Sequence, residues 1–400
     1  MRPTAPSPRS VADEITVAEA ERRLAAVAPQ FPETTVALPN AHGRVLREDL
    51  IADRPFPPFD RVTMDGIALS FAAWQSGRRE FKITGTQAAG RPALTLLAAD
   101  TCLEVMTGAV LPVGTDCVVP VEDIEVRDGR ATVTGNVAPH QCIHFAGSDK
   151  KRGDMLVRAG TRLSAAEIAV AATIGKTTLR VSRLPTVAVI STGDELVNVD
   201  AEPAPHQIRC SNAHAIRAAL AGIAKSMLMH LPDEQIALRA GLQTALETAD
   251  MVLVTGGVSR GRLDLVPETF ESLGVQKLFH RVRQRPGGPM WAGKTARGQL
   301  VFGLPGNPVS TLVTLYRYVL PLLAPVPVLM ACLDEKVSAV GVQFVLVRVR
   351  CEDGRLRAKL VDFNTSGDLA ALVAADGFVQ VEEGGGTVCR LWLWSGRVIA

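Results

Sequence analysis

The chain has 400 residues, 47% of them hydrophobic, more than a single core holds before it divides at about 250–300 residues, so several domains are expected. Its formal charge is +2, with 43 basic against 41 acidic residues, which excludes the polyanion-coating surface of a nucleic-acid binder and requires any anion site to be local. Seven cysteines, an odd number with no C-x-x-C pair, fit neither a disulfide framework nor a zinc ribbon and suit a reducing cytosol.

Residues 1–10 are proline-rich without an apolar h-region and read as a loose tail, so the expected location is cytoplasmic. Thr16 followed by Glu19 is a capping-box pattern that opens an alanine-rich amphipathic helix reaching Ala28. From Phe81 to Val137 short β-rich segments alternate with glycine and proline turns, among them a hairpin through Asp128-Gly129. A helical pattern returns over residues 164–174, which predicts a β-rich domain inserted into a helical one. Between Leu184 and Leu323, apolar runs such as 187–190, 226–230 and 251–254 alternate with helical patterns, one of them opened by Asp233 as a possible N-cap, and predict a parallel sheet covered on both faces. Residues 311–333 are the longest apolar run, but Arg317, Pro321, Pro325 and Pro327 interrupt it, so it reads as a buried helix and a connector, with no membrane partner. The last segment returns to strands, two of them meeting at Asp353-Gly354, and forms a small β domain.

Ligands of open α/β sheets bind outside the carboxyl ends of the strands, and three strands here end in unusual loops. Ser191-Thr192-Gly193-Asp194-Glu195 offers two hydroxyls and two carboxylates. In the loop from Thr255, Gly256, Gly257 and Gly261 let the backbone approach an anion, and Ser259 adds a donor. Gly303-Leu304-Pro305-Gly306-Asn307-Pro308, with Ser310 just beyond, starts a helix with a capping side chain and proline at its first position. Each loop alone is equally a tight strand-to-helix turn; three on one rim point to a site. Asp264, Arg281, Arg283, Arg285 and Lys294 stand nearby in sequence, where carboxylates can hold magnesium and guanidinium groups can clamp an oxyanion. The alternation of Arg281, Arg283 and Arg285 also fits a solvated strand face, and Arg285, beside Pro286-Gly287-Gly288, ranks above the other two.

These loops, with others, resemble in order the motifs of the molybdopterin molybdenumtransferase (MoeA) family, which includes gephyrin-type proteins. Pro58-Phe59-Asp60 through Met64-Asp65-Gly66 resembles its P-x-F-D-x-x-x-M-D-G, Met106-Thr107-Gly108-Ala109 its M-T-G-A, and Gly147-Ser148-Asp149 its G-E-D. S-T-G-D-E-L at 191–196, Ser211-Asn212, G-G-V-S-x-G-x-x-D at 256–264 and G-L-P-G-N-P-V-S at 303–310 follow. The resemblance implies a molybdopterin-binding α/β domain at 184–326, a helical linker domain at 11–52 plus 145–183, an inserted β-rich domain at 53–144 and a C-terminal β-barrel-like domain at 327–400. It implies that molybdate is inserted into the dithiolate of adenylylated molybdopterin with release of AMP, by a homodimer that uses Mg2+ and deals with the upstream adenylyltransferase and recipient molybdoenzymes. Asp65, Thr107, Glu195 and Asp264 would be catalytic, the last two as magnesium ligands, with Asp149 and Asp233 as further acidic site positions. Without the resemblance, Asp65 before Gly66 reads as an Asx turn. His140, Cys142 and His144 form a short polar cluster that reads as ordinary loop or strand residues.

The chain departs from the family pattern at four places. K-P-G-K-P is Arg285-Pro286-Gly287-Gly288-Pro289, the arginine before G-E-D is matched by His144, Y-D before S-N is Arg209-Cys210, and an arginine of the last domain is Leu346 with Arg348 nearby. A molybdopterin adenylyltransferase shares the α/β loops but lacks the flanking domains, and a non-catalytic pterin-binding scaffold would fit the lost cations but not the retained carboxylates. A dehydrogenase is excluded because S-T-G-D-E stands where G-x-G-x-x-G would follow the first strand of the α/β domain.

Overall fold

The computed structural model describes residues 14–258, 264–324, 328–397 and 399, so the tail read at residues 1–10 lies outside it. The chain divides into two compact units, one comprising Met1–Pro32 with Arg183–Ala400 and the other Glu33–Ser182.

The larger unit contains a six-stranded sheet in the order Lys225–Leu231, Thr186–Thr192, Met251–Thr255, Leu300–Leu304, Trp291–Lys294, Gln276–His280. The first four strands are parallel and the last two antiparallel. The three inner parallel strands are apolar runs buried on both faces, whereas the edge strand Lys225–Leu231 is partly exposed. Val187 and Val189 join Leu253 and Phe302 in one core, beneath helices Asn212–Ala219 and Pro308–Thr314. Ala188 and Ile190 join Val252, Val254 and Val301 in the other, beneath Gln235–Thr248 and Val266–Ser272. The N-terminal helix Val17–Ala25 adds Val17, Ala20 and Leu24 to the first core. Thr16 caps it by accepting from Glu19 N at 3.1 Å, but the Glu19 carboxylate turns to Arg22 and Arg23, since charged partners outbid a neutral amide.

Within the apolar run at 311–333 a buried helix continues from Pro308–Thr314 through a π-helical turn, Leu315–Val319, to Leu320–Leu323; residues 325–327, where a connector was expected, lie outside the described residues, and a strand begins at Leu329. No helix among the described residues is long and apolar enough to cross a membrane. Strands Leu329–Val337, Val342–Glu352, Arg355–Leu360, Gly377–Val381 and Gly386–Leu393 close into a five-stranded barrel, because the second also pairs with the fourth. Asp353 and Gly354, both at positive φ, form the expected tight turn.

The smaller unit is built on a mixed six-stranded sheet, ordered Cys117–Pro120, Gly66–Leu69, Thr101–Val105, Glu80–Gln87, Arg130–Val133, Ile124–Arg127, with the Asp128-Gly129 hairpin at one edge. The segment expected to be a helical linker resolves differently. Helix Ala165–Thr173, closed by a Ser164/Glu167 capping box, is accompanied by strand pairs Glu33–Ala37 with Thr178–Ser182 and Leu50–Ile51 with Met155–Val157. β-Branched Thr34, Thr35 and Val36 favour pairing where the flanking alanine-rich stretches suggested helix.

Arg317, with a side chain only 3% exposed, ties the larger unit together. Its Nη1 donates to Glu21 Oε1 at 3.0 Å and its Nε to Gln380 Oε1 at 3.2 Å, while its guanidinium lies 5.0 Å from the Trp392 ring centroid. Burial works to raise the Glu21 carboxyl, but Arg317 and then Arg390 outweigh it and hold the group below its usual range. Glu21→Gln is expected to destabilise the protein by about 2 kcal/mol, less than the ~3–5 typical of breaking a fully buried pair because Glu21 is 43% exposed. A lowered carboxyl stabilises above its unfolded pKa and stops doing so as pH falls through its folded value. The difference between wild type and variant, measured by urea unfolding, should therefore be full at pH 7 and vanish in acid.

Candidate active site

Parallel register sets Ser191 beside Thr255 and Thr255 beside Leu304, so the three unusual loops leave the sheet at the same rim. A cleft of about 480 Å³ opens there, lined by Gly256, Gly257, Asp264, Arg281, Arg285, Pro305, Gly306, Asn307 and Ser310. The candidates Ser259 and Gly261 lie outside the described residues.

Gly256 illustrates why this rim is glycine-rich. Its φ is +95°, and a Cβ there would lie 2.8 Å from the Thr192 carbonyl oxygen. Its amide donates to Leu304 O at 3.2 Å, so it joins two loops and is not an anion donor. Asn307 precedes Pro308 at the helix start as expected, but its Nδ2 donates to Ser366 Oγ at 2.8 Å instead of the side chain capping the helix.

Arg281 and Arg285 are not on one continuous strand face. Strand Gln276–His280 ends just before Arg281, which takes a left-handed φ of 78°, a strained conformation for a long side chain. Its amide donates to Met290 O at 2.7 Å, and Glu14 lies 3.8 Å from its Nε. Arg285 belongs to the short strand Gln284–Arg285, which pairs with Val342 and Gln343 of the barrel. Between them Gln284 is buried, its Oε1 accepting from Tyr318 OH and its Nε2 donating to Pro286 O at 3.1 Å. Two cations thus enter the cleft from a braced loop, while Arg283 is exposed and outside its lining.

The acidic residues form a neighbouring group. His230 Nε2 meets Gly193 O at 3.0 Å, and Asp194 Oδ1 accepts from Asp233 N at 3.2 Å, which ties the 193–195 turn to the residues after strand Lys225–Leu231. Glu234, not Asp233, caps helix Gln235–Thr248, so capping does not account for Asp233. Burial first, then Asp194, Glu195 and Asp264, hold the Asp233 carboxyl above its ordinary range. Among the described residues no three His, Cys, Asp or Glu side chains are arranged to hold a metal ion. Ser191 and Thr192 are buried; the Ser191 hydroxyl lies 3.0 Å from Cys210 Sγ.

In the smaller unit, residues 60–62 carry two further loops. Val62 N donates to Ala109 O and Leu111 N to Asp60 O, fixing the Met106-Thr107-Gly108-Ala109 turn, while Ala146 N donates to Asp60 Oδ1 and Gly147 N to Pro57 O, fixing the loop with Asp149. Asp65 Oδ1 accepts from Thr107 Oγ1 at 2.7 Å and Thr107 N at 2.6 Å. The carboxylate thus bonds across to a second loop, where the sequence alone suggested an Asx turn, and the hydroxyl and then the amide hold it below the usual aspartate range. Gly66 is required by close approach, because a Cβ there would lie 1.9 Å from Val119 O.

Sequence patterning did not single out Ser366 or Gln284, which share the cleft. Both sit on elements whose relation to the rim is set by barrel packing, and neither lies in a motif. Lys294 pairs with Leu300, at the amino end of its strand, and so stands at the opposite edge of the sheet. Leu346 is fully buried, and Arg348 Nη2 donates to Ala374 O at 3.2 Å, outside the cleft. At Gly288 a Cβ would lie 3.1 Å from Gln284 O, so the loop is closed tightly where the family pattern has its second cation.

Residues 15–175 match the MoeA N-terminal region (domain I and II), 188–325 the family described as probable molybdopterin binding domain, and 334–389 the MoeA C-terminal region (domain IV). The chain is 36% identical over 375 residues to the molybdopterin molybdenumtransferase of Synechocystis sp., spanning 92% of this chain and 96% of that one. It is 31% identical over 395 residues to the protein of the same name from Bacillus subtilis, spanning 92% and 90%. The crystal structure of the molybdopterin biosynthesis moeA protein from Pyrococcus horikoshii OT3 superposes with a TM-score of 0.81 at 25% identity, covering 95% of this chain and all of that one.

A carboxyl whose folded pKa is raised is penalised when ionised, so its cost sets in as pH rises through the unfolded value and is full above the folded one. Asp233→Asn is accordingly expected to raise the melting temperature at pH 7 by about 1 °C and to leave it unchanged at pH 3. A lower melting temperature at pH 7, read by scanning calorimetry, would show that the carboxylate anchors its loop instead.

Proposed function

Because this chain belongs to the molybdopterin molybdenumtransferase (MoeA) family and transfers molybdenum to molybdopterin in cofactor biosynthesis, we propose that its pterin substrate arrives adenylylated and that AMP leaves from the 256–310 cleft. The carrying observation is that one cleft gathers the loops at 256–258 and 305–307 with Asp264, Arg281 and Arg285. An adenylylated pterin carries a pyrophosphate and molybdate is a tetrahedral dianion, and both need positive charge presented at fixed geometry. Arg285 and Arg281 supply it as planar donor forks on a loop whose backbone is already braced. Asn307 and Ser310 add polar groups to the cleft lining.

Glu195 and Asp264 would hold magnesium. The donor set fits: these are hard carboxylate oxygens in a group whose mutual repulsion contributes to raising the Asp233 carboxyl, and a divalent cation would relieve it. The lack of a three-ligand cage among the described residues also fits, since magnesium keeps waters and uses one or two carboxylates together with phosphate oxygens. Bound there, it would neutralise charge on the pyrophosphate as AMP departs. Molybdenum is taken up by the pterin's own dithiolate, so no protein thiol is required. Cys102 and Cys117 could not serve, being buried with thiols pushed up to about 12, chiefly by that burial.

Asp65, Thr107 and Asp149 complete the site in a homodimer, where one subunit supplies them to the cleft of the other. Purified protein given adenylylated molybdopterin, molybdate and magnesium should release AMP and reconstitute a molybdenum-dependent apoenzyme, and Asp264→Ala should lower both by on the order of 100-fold. Binding of pterin without AMP or active cofactor at any molybdate concentration would favour a scaffold role. Asp65→Ala and Asp264→Ala, each strongly impaired alone, should regain part of the activity when unfolded and refolded together. No recovery, with a heterodimer demonstrated by native mass spectrometry, would rule out a site shared between subunits.

A further inference from the structure

Arg61 and His144 face each other across the strand pair Arg61–Val62 with Ile143–His144, and the histidine is engaged at both nitrogens. Nδ1 lies 3.1 Å from Arg61 Nη2, and Nε2 lies 2.8 Å from Asp149 Oδ1. A guanidinium has five donors and no acceptor, and it keeps its proton throughout the range in which proteins fold. Nδ1 must therefore present a lone pair to Arg61, which leaves the ring proton on Nε2, where it donates to the carboxylate. The two contacts together select the neutral Nε2–H tautomer and fix the plane of the ring. The Asp149 backbone is held as well, its amide donating to Phe56 O at 3.0 Å, while its side chain is 57% exposed. Asp149 is thus an outward-facing carboxylate aimed by a ring that is itself aimed by an arginine.

We propose that His144 is a positioning residue for molybdenum transfer, holding Asp149 in one orientation as the acceptor for a neutral N–H or O–H donor of the adenylylated pterin. A carboxylate repels molybdate and pyrophosphate, so among the groups of these substrates the neutral N–H and O–H donors of the pterin and its adenosine are its fitting partners. The proposal rests on the assignment of Asp149 to the transferase site, and Asp149→Ala tests that assignment separately.

The measurement compares KM for adenylylated molybdopterin, KM for molybdate, kcat and melting temperature in full-length wild type, His144→Leu, His144→Gln and Asp149→Ala. His144→Leu should raise the pterin KM about tenfold, the effect of a charge-assisted hydrogen bond lost from a binding group, and leave the molybdate KM unchanged. Glutamine can accept from Arg61 through Oε1 and donate to Asp149 through Nε2, so His144→Gln should recover most of the loss. Nitrogen NMR of labelled histidine should show the Nε2–H tautomer at His144 in wild type. Impairment in Asp149→Ala with normal kinetics in His144→Leu would overturn the positioning role and leave the assignment of Asp149 intact. Normal kinetics in Asp149→Ala would remove Asp149 from the site and the proposal with it. A folded His144→Gln as impaired as His144→Leu would show that the two-ended hydrogen bond is not what matters.

Discussion

In-register parallel pairing is the constraint on which the larger unit depends. With Val187 beside Met251 and Met251 beside Leu300, each strand reaches its carboxyl end at the same height, and loops far apart in sequence leave the sheet on one rim. The cost of such a sheet is that both faces must be covered, which is why residues 187–190 alternate between two cores and none can be polar. Polar and glycine residues appear where the strands end, because there the backbone leaves the sheet and has to turn at close quarters. The apolar strands and the glycine loops are two consequences of one arrangement.

The barrel is joined to this sheet by contacts that also shape the cleft. Gln284–Arg285 pairs with Val342 and Gln343, Asn307 bonds Ser366, and Val309 N donates to Ser366 O at 3.0 Å. Arg317, which does not line the cleft, is enclosed by Glu21, Gln380, Tyr318 and Trp392, which come from the N-terminal helix, the barrel and its own helix. A buried cation is tolerated only when its partners are in place, so this contact penalises any arrangement in which helix and barrel separate. The C-terminal domain contributes to the cleft through Ser366 and through support of the arginine loop.

In the smaller unit the same economy is seen on a shorter scale. Residues 60–62 hold one loop that carries Thr107 and another that carries Asp149, and the two carboxylates there are managed by different means. Asp65 is kept anionic by hydrogen bonds from a neutral hydroxyl and amide, whereas Asp149 faces a histidine backed by Arg61.

The sequence alone carries the classes of element and the chemistry of the loops. Alternating apolar runs and helical patterns announced the covered parallel sheet, Asp128-Gly129 and Asp353-Gly354 announced hairpins, and the ordered motifs announced the family; these signals are local and survive without knowledge of the fold. It misled where local preference competes with pairing, as in the linker whose residues 33–37 and 178–182 form strands. It also could not say that Glu234 and not Asp233 caps its helix, that Ser191 turns inward to Cys210, or that Lys294 lies at the far edge of the sheet. The first is decided by the local backbone geometry at the helix start, the others by register and by contacts between separate elements. Ser366 joined the cleft, and His144 acquired Arg61 as a second partner beside its near neighbour Asp149, only when tertiary packing brought distant segments within hydrogen-bond reach.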